Sequence, residues 1–115
     1  MKSRWQSTNE LLTGIIMEEA LLGTWKSGMK SLDVLALTAT ACIVDGDRGR
    51  WSSAGDEIWL LRGDGKTGTK WTFSLGDNGT LTFSQPEDFT YLGHGEYMYF
   101  QMTPPGTTVV FHRIA

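Results

Sequence analysis

The side chains able to do chemistry are few and scattered along the chain. Cys42 stands between Ala41 and Ile43. A catalytic thiolate needs a nearby imidazole or a helix N-terminus, and the local sequence supplies neither, so Cys42 reads as a small buried apolar residue. His94, Glu96 and His112 are metal-ligating types, but nothing in their spacing makes them meet, and they read as surface residues. Asp45-Gly46-Asp47 opens like a calcium loop and lacks the later ligands and the closing Glu. Asp56-Glu57 and Glu87-Asp88 sit at loop edges, with no sign of an acid–base pair. Arg62-Gly63-Asp64 reads as a hairpin turn. Gly63-Asp64-Gly65-Lys66-Thr67 lacks the spacing and following helix of a phosphate-binding loop. The expectation is therefore a protein that is not an enzyme, with no metal and no cofactor. Aromatic side chains are the abundant resource. Five Trp in 115 residues can hold a thin core together or line a cavity.

Composition narrows the partners. A chain of 115 residues fits one domain, 1–115, and 40% hydrophobic with 20% charged residues is a globular balance. The net charge is −3 and no basic run exceeds two residues, which argues against nucleic acid. No segment approaches the roughly 20 apolar residues of a membrane span. Leu11, Leu12, Ile15 and Ile16 are interrupted by Glu10, Glu18 and Glu19, so no export signal is read and a cytoplasmic location is expected. One cysteine forms no intramolecular disulfide.

The elements that must position these residues follow from periodicity. Residues 1–7 read as a loose tail. Ser7-Thr8-Asn9-Glu10 fits a capping box, and the apolar spacing that follows predicts a helix over 8–20, stopped by Gly23. Beyond Gly23 the pattern alternates. Strands are expected from Gly23, over 34–44, around Trp51, over 57–62, 67–75, from Leu81, over 96–102 and over 108–114. Leu35, Leu37, Ala39, Ala41 and Ile43 share one face of the second, and Pro86-Glu87-Asp88 is expected to break the pattern after Phe83. Asp77-Asn78-Gly79 is the strongest hairpin signal. Hairpin following hairpin, with no helix between strands for a parallel crossover, predicts a mainly β fold. The expected form is an antiparallel up-and-down barrel of about eight strands with one N-terminal helix.

Leu22-Gly23-Thr24-Trp25 resembles the G-x-W signature of the lipocalin and wider calycin superfamily, in which a Trp on the first strand follows a short N-terminal helix. The resemblance implies that Trp25 sits at the closed end of the barrel and that an Arg on the last strand, here Arg113, packs across it. Ile58 to Gly65 followed by Trp71-Thr72-Phe73 is similar to small bacterial lipocalin-like domains, with an aromatic strand, an Asp-Gly turn and a Trp-bearing strand. Typical secreted lipocalins have a signal peptide, a disulfide pair and a helix after the last strand; none of the three is read in these 115 residues, so the resemblance is expected to carry the fold more than a secretory transport role. A guanidinium on an indole face is also favourable in its own right.

With Arg113 reaching Trp25, Phe111 and Val109 share its face by the two-residue period. An outward Arg62 places Trp59 and Leu61 inward, and Trp71 and Phe73 join them. Met98, Phe100 and Met102 are preferred inward over Tyr97, Tyr99 and Gln101, because tyrosine hydroxyls seek water or a partner. The lining expected for a small apolar or amphipathic ligand is therefore Trp59, Leu61, Trp71, Phe73, Met98, Phe100 and Phe111, with Trp25 and Arg113 structural. The alternative is a protein-interaction or inhibitor domain with a filled core. It would use Tyr91, Tyr97 and Tyr99 or the apolar face of the N-terminal helix, the latter as a homo-oligomer contact.

Overall fold

Alternating apolar residues separated by turn-formers give nine strands in the computed structural model, which describes residues 19–115. They are β1 (Gly23–Lys26), β2 (Val34–Leu37), β3 (Cys42–Val44), β4 (Asp47–Ala54), β5 (Glu57–Leu61), β6 (Thr67–Leu75), β7 (Thr80–Gly93), β8 (Glu96–Phe100) and β9 (Val109–Arg113). Glu19, Ala20 and Leu21 are helical; the rest of the helix expected over 8–20, and the tail before it, lie outside the described residues.

All pairings are antiparallel. Strands β1 to β6 run as a meander, β6 pairs with β7, β7 with β9, and β9 returns to β1. Eight strands thus close a barrel, and β8 is an additional strand attached to β7 alone. Closure leaves the barrel itself without an unpaired edge. Strand β7 is long enough to serve two neighbours on one side. Thr80 to Phe83 pair with β9, whereas Asp88 to Gly93 pair with β8.

Two sequence expectations are corrected. The segment 34–44 is not one strand but a hairpin of β2 and β3. Its turn contains neither Gly nor Pro and is held by Thr38, whose hydroxyl accepts the Ala41 N–H at 3.0 Å and whose own N–H donates to the Ala41 carbonyl at 2.9 Å. The chain also does not break at Pro86-Glu87-Asp88. A bulge there, with Gln85 at φ 52°, absorbs the one extra residue opposite Lys70–Thr72 and lets β7 continue.

The interior is packed with large side chains. Trp25, Leu35, Ile58, Leu81, Phe83 and Phe111 are all essentially inaccessible. Phe83 stacks on Trp71 at 5.5 Å and meets Phe111 edge-on at 5.0 Å between centroids. One end of the barrel is sealed around Trp25 and Arg113, which face each other across β1 and β9. The guanidinium lies 4.2 Å over the indole and donates to the carbonyls of Ala20 and Leu22, both at 2.6 Å. The indole Nε1–H donates to the Leu21 carbonyl at 2.9 Å. Gly23 lies beneath the guanidinium at φ 135°; a Cβ there would collide with it.

Arg113→Ala therefore removes the stack and leaves two helix-end carbonyls without their donor. We expect it to destabilise the fold by about 2 kcal/mol in urea unfolding. Arg113→Lys should recover only part of this, because an ammonium does not fork to two carbonyls while lying flat on a ring.

Candidate functional site

The end of the barrel opposite Arg113 is built by loops whose own polar side chains fold them. In the β1–β2 loop, Ser27 accepts the Met29 N–H at 2.8 Å and donates to the Leu32 carbonyl at 2.6 Å. Asp33 accepts from Lys26 Nζ at 2.8 Å and from the Gly28 N–H at 2.6 Å, and these bonds lower its pKa. Asp45 accepts the N–H groups of Asp33 and Val34 at 3.2 and 2.8 Å. Asp47 accepts the Gly63 N–H at 3.0 Å and so ties the β3–β4 turn to the β5–β6 turn. Asp64 accepts the N–H groups of Thr67 and Lys66, which push its pKa down to about 2.

These loops frame a cavity of about 300 Å³ at the barrel mouth. That volume lies at the small end of the range for ligand sites, roughly 300–1,000 Å³. Leu32, Cys42, Leu60 and Trp71 supply buried apolar lining, Met29 and Val44 are half-buried, and Asp45, Asp47 and Arg62 bring charge to the rim. Thr69 and Thr103 complete the wall.

Asp88 anchors that wall from behind. It is buried, and it accepts the N–H groups of Met102 and Thr103 at 2.9 and 2.7 Å and the hydroxyls of Thr69 and Thr103 at 3.1 and 2.9 Å. Burial raises its pKa, but the donors outweigh burial and the net shift is downward. Cys42 faces the opposite condition. Burial pushes its thiol up to about 11, only partly offset by the Gly49 N–H, and the thiol donates to the Arg50 carbonyl at 3.3 Å. Burial therefore favours the neutral form of this wall residue's thiol. Among the described residues no three His, Cys, Asp or Glu side chains converge as a metal site.

The structure divides the expected lining. Trp71 lines the cavity, and Phe73 and Phe111 lie in the packed interior with it. Trp59 does not point inward. Ile58 and Leu60 take the interior positions of β5, so Trp59 and Leu61 belong to the outer face, with Leu61 at the strand end bordering both the mouth cavity and an outer groove. The expectation rested on Arg62, but β5 ends at Leu61, and a turn residue carries no strand parity. Met98 and Phe100 do not point inward either; both are exposed on β8.

Their neighbours Tyr97 and Tyr99 instead join an aromatic cluster on the outside of the barrel. Phe89, fully buried, is covered edge-on by Tyr97 at 5.0 Å and packs over Gly68, where any side chain would strike its ring. Trp59 Nε1 donates to the Tyr99 hydroxyl at 3.1 Å. Lys70 Nζ lies 5.3 Å from the Tyr99 ring centre and bridges Glu57 and Glu87, both at 3.1 Å. The bulge at Gln85 explains this cluster. It inverts the facing of β7, so Phe83 points in and Phe89 points out.

Met29, Leu32, Thr69 and Thr103 were not singled out from the sequence. Thr69 alone had a usable signal, since it continues the inward alternation of Trp71 and Phe73 by one step. The site thus belongs to a closed eight-stranded antiparallel barrel with one sealed end and one small cavity at the mouth. Comparison with family models, curated proteins and solved structures finds no match to this chain. Among the described residues no helix is long and apolar enough to cross a membrane.

Asp88→Asn can keep one oxygen on the Met102 and Thr103 N–H groups, but it removes the negative charge that strengthens all four bonds and turns the acceptor facing the Thr69 and Thr103 hydroxyls into a donor. At neutral pH it should cost about 2 kcal/mol, measured by chemical unfolding. The native carboxyl titrates below its unfolded value of about 3.9, so its contribution is complete above roughly pH 5 and fades as pH falls through the native pKa. Wild type should lose its advantage over Asp88→Asn across that acidic interval, in paired unfolding curves. Cys42 should also react with iodoacetamide at pH 8 far more slowly in the folded chain than in urea, where its pKa returns to about 8.5.

Proposed function

We propose that this chain is a lipocalin-like binding protein that holds a small apolar or amphipathic molecule at the mouth of its barrel. The observation that carries this reading is the mouth cavity itself, with an apolar floor of Trp71, Leu60, Leu32 and Cys42 beneath a charged rim. An apolar group would rest against the floor and gain roughly 25 cal/mol per Å² of buried surface. A polar end would remain among Asp45, Asp47 and Arg62, where water and hydrogen-bonding groups are both at hand. Met29 on the loop adapts to ligand shape through its flexible thioether. The lower barrel is filled by Phe83, Phe111 and Trp25, which favours a compact ligand over a long one threaded to the sealed end. The stack of Arg113 on Trp25, in the order of elements seen in the calycin group, supports the family reading. The neutral thiol of Cys42 supports binding over covalent chemistry.

Titration with short-chain fatty acids and with the apolar dye phenylnaphthylamine tests the reading. Saturable changes in tryptophan emission are expected, and they should diminish in Trp71→Phe. Val44→Phe, which enlarges a half-buried wall residue, should weaken binding tenfold or more, about 1.4 kcal/mol. No saturable response to any of these compounds, or equal affinity in Val44→Phe, would exclude the mouth cavity as the site.

A further inference from the structure

The structure leaves one β-strand with a bare side. Strand β8 pairs with β7 and, among the described residues, with nothing on its other edge. Exposed edges of this kind are ordinarily blunted by Lys, Pro or a bulge on the strand itself. Glu96-Tyr97-Met98-Tyr99-Phe100 has neither Lys nor Pro, and its pairing with β7 is regular from Tyr97 to Phe100. Its apolar side chains are not covered either. Met98 is 55% and Phe100 37% exposed, and Met102 just beyond is 79% exposed.

Ladder geometry tells which peptide groups are bare. The Tyr91 N–H donates to the Lys66 carbonyl at 2.6 Å, so the peptide groups of Tyr91 point towards β6. In an antiparallel ladder these directions alternate, so Thr90 and its partner Met98 bond to each other. The N–H and C=O groups of Tyr97 and Tyr99 therefore point away from β7, into the open edge.

We infer that β8 is a homodimerisation edge, pairing antiparallel with β8 of a second copy about a two-fold axis through Met98. In that register Tyr97 bonds with Tyr99 of the other copy, twice by symmetry, which satisfies four pairs of bare peptide groups. Met98 meets its own equivalent in the non-hydrogen-bonded position, where Cα atoms approach to about 4.5 Å. Glu96, the sole charge on β8, falls opposite Phe100. The two Glu96 carboxylates lie four residues apart along the ladder, about 14 Å, beyond the screening length of about 8 Å at physiological salt. No like charges face each other, so a chain of net charge −3 can join itself here. A five-residue edge covers less than the roughly 1,200 Å² of stable interfaces, so the dimer is weak and concentration-dependent.

Sedimentation velocity over a broad concentration series should show reversible monomer–dimer exchange. Met98→Lys, which sets two ammonium groups face to face on the axis, should weaken it tenfold or more while leaving the circular dichroism unchanged. Met98→Cys should cross-link into a disulfide dimer under mild oxidation by diamide, because the axial pair has a separation that a disulfide spans. Val110→Cys, also exposed but on β9, should not. A monomer at every concentration, a dimer indifferent to Met98→Lys, or equal cross-linking at 110 and 98 would overturn the assignment. None of these readouts involves a bound small molecule, so they stand apart from the test of the mouth cavity.

Discussion

The first and last strands of the barrel meet along a short ladder, and one cation lies on one ring where they meet. Arg113 reaches Leu22 and Ala20 from 91 and 93 residues away in sequence, and it does so while lying flat on Trp25. The guanidinium is suited to this: it is planar, always charged, and its donors fork. Trp25 reciprocates by bonding Leu21, so the last helical turn, β1 and β9 share one network. Gly23 is the condition for it, since no other residue leaves room beneath the guanidinium. Joining positions so remote costs loop-closure entropy, which the β1–β9 ladder, the buried ring and the core around it offset together.

Once closed, the barrel sorts its polar groups by depth. The sealed half holds aromatic and aliphatic side chains with little room between them. The open half is shaped by carboxylates that fold backbone. Asp33, Asp64 and Asp88 all have lowered pKa values, and in each case backbone N–H donors contribute. Depressed carboxylates at a cavity often signal catalysis. Here each is engaged with peptide groups of its own loops or of the wall, and their task is to hold the mouth in shape.

Much of this was legible from alternation alone. β6 was read with its true bounds because Trp71, Phe73 and Leu75 alternate cleanly with Lys70, Thr72 and Ser74. Antiparallel order and closure followed from hairpin signals, and the meeting of Trp25 with Arg113 was what the lipocalin resemblance implied. What misled was parity at strand ends and bulges. Ile58-Trp59-Leu60-Leu61 is apolar throughout, so only its neighbours decide which pair faces in, and Arg62 lay just past the strand. The turn at 38–41 was invisible because a threonine hydroxyl does work usually signalled by glycine. The inversion within β7 depends on Gln85 adopting a positive φ, and Gln gives no hint of that. The mouth cavity was obscure for a different reason: it is assembled from loop residues, where periodicity says nothing.

The bulge in β7 has a consequence for how the two faces of the sheet are divided. Because facing reverses at Gln85, this strand contributes Phe83 to the inner packing and Phe89 to a separate outer one, with the sheet between them as a partition. Substitutions among Phe89, Tyr97 and Tyr99 alter the exterior without reshaping the space around Trp71, and changes near Val44 leave the exterior intact. The outer aromatic surface and the inner packing are in this sense two separate surfaces carried by one strand.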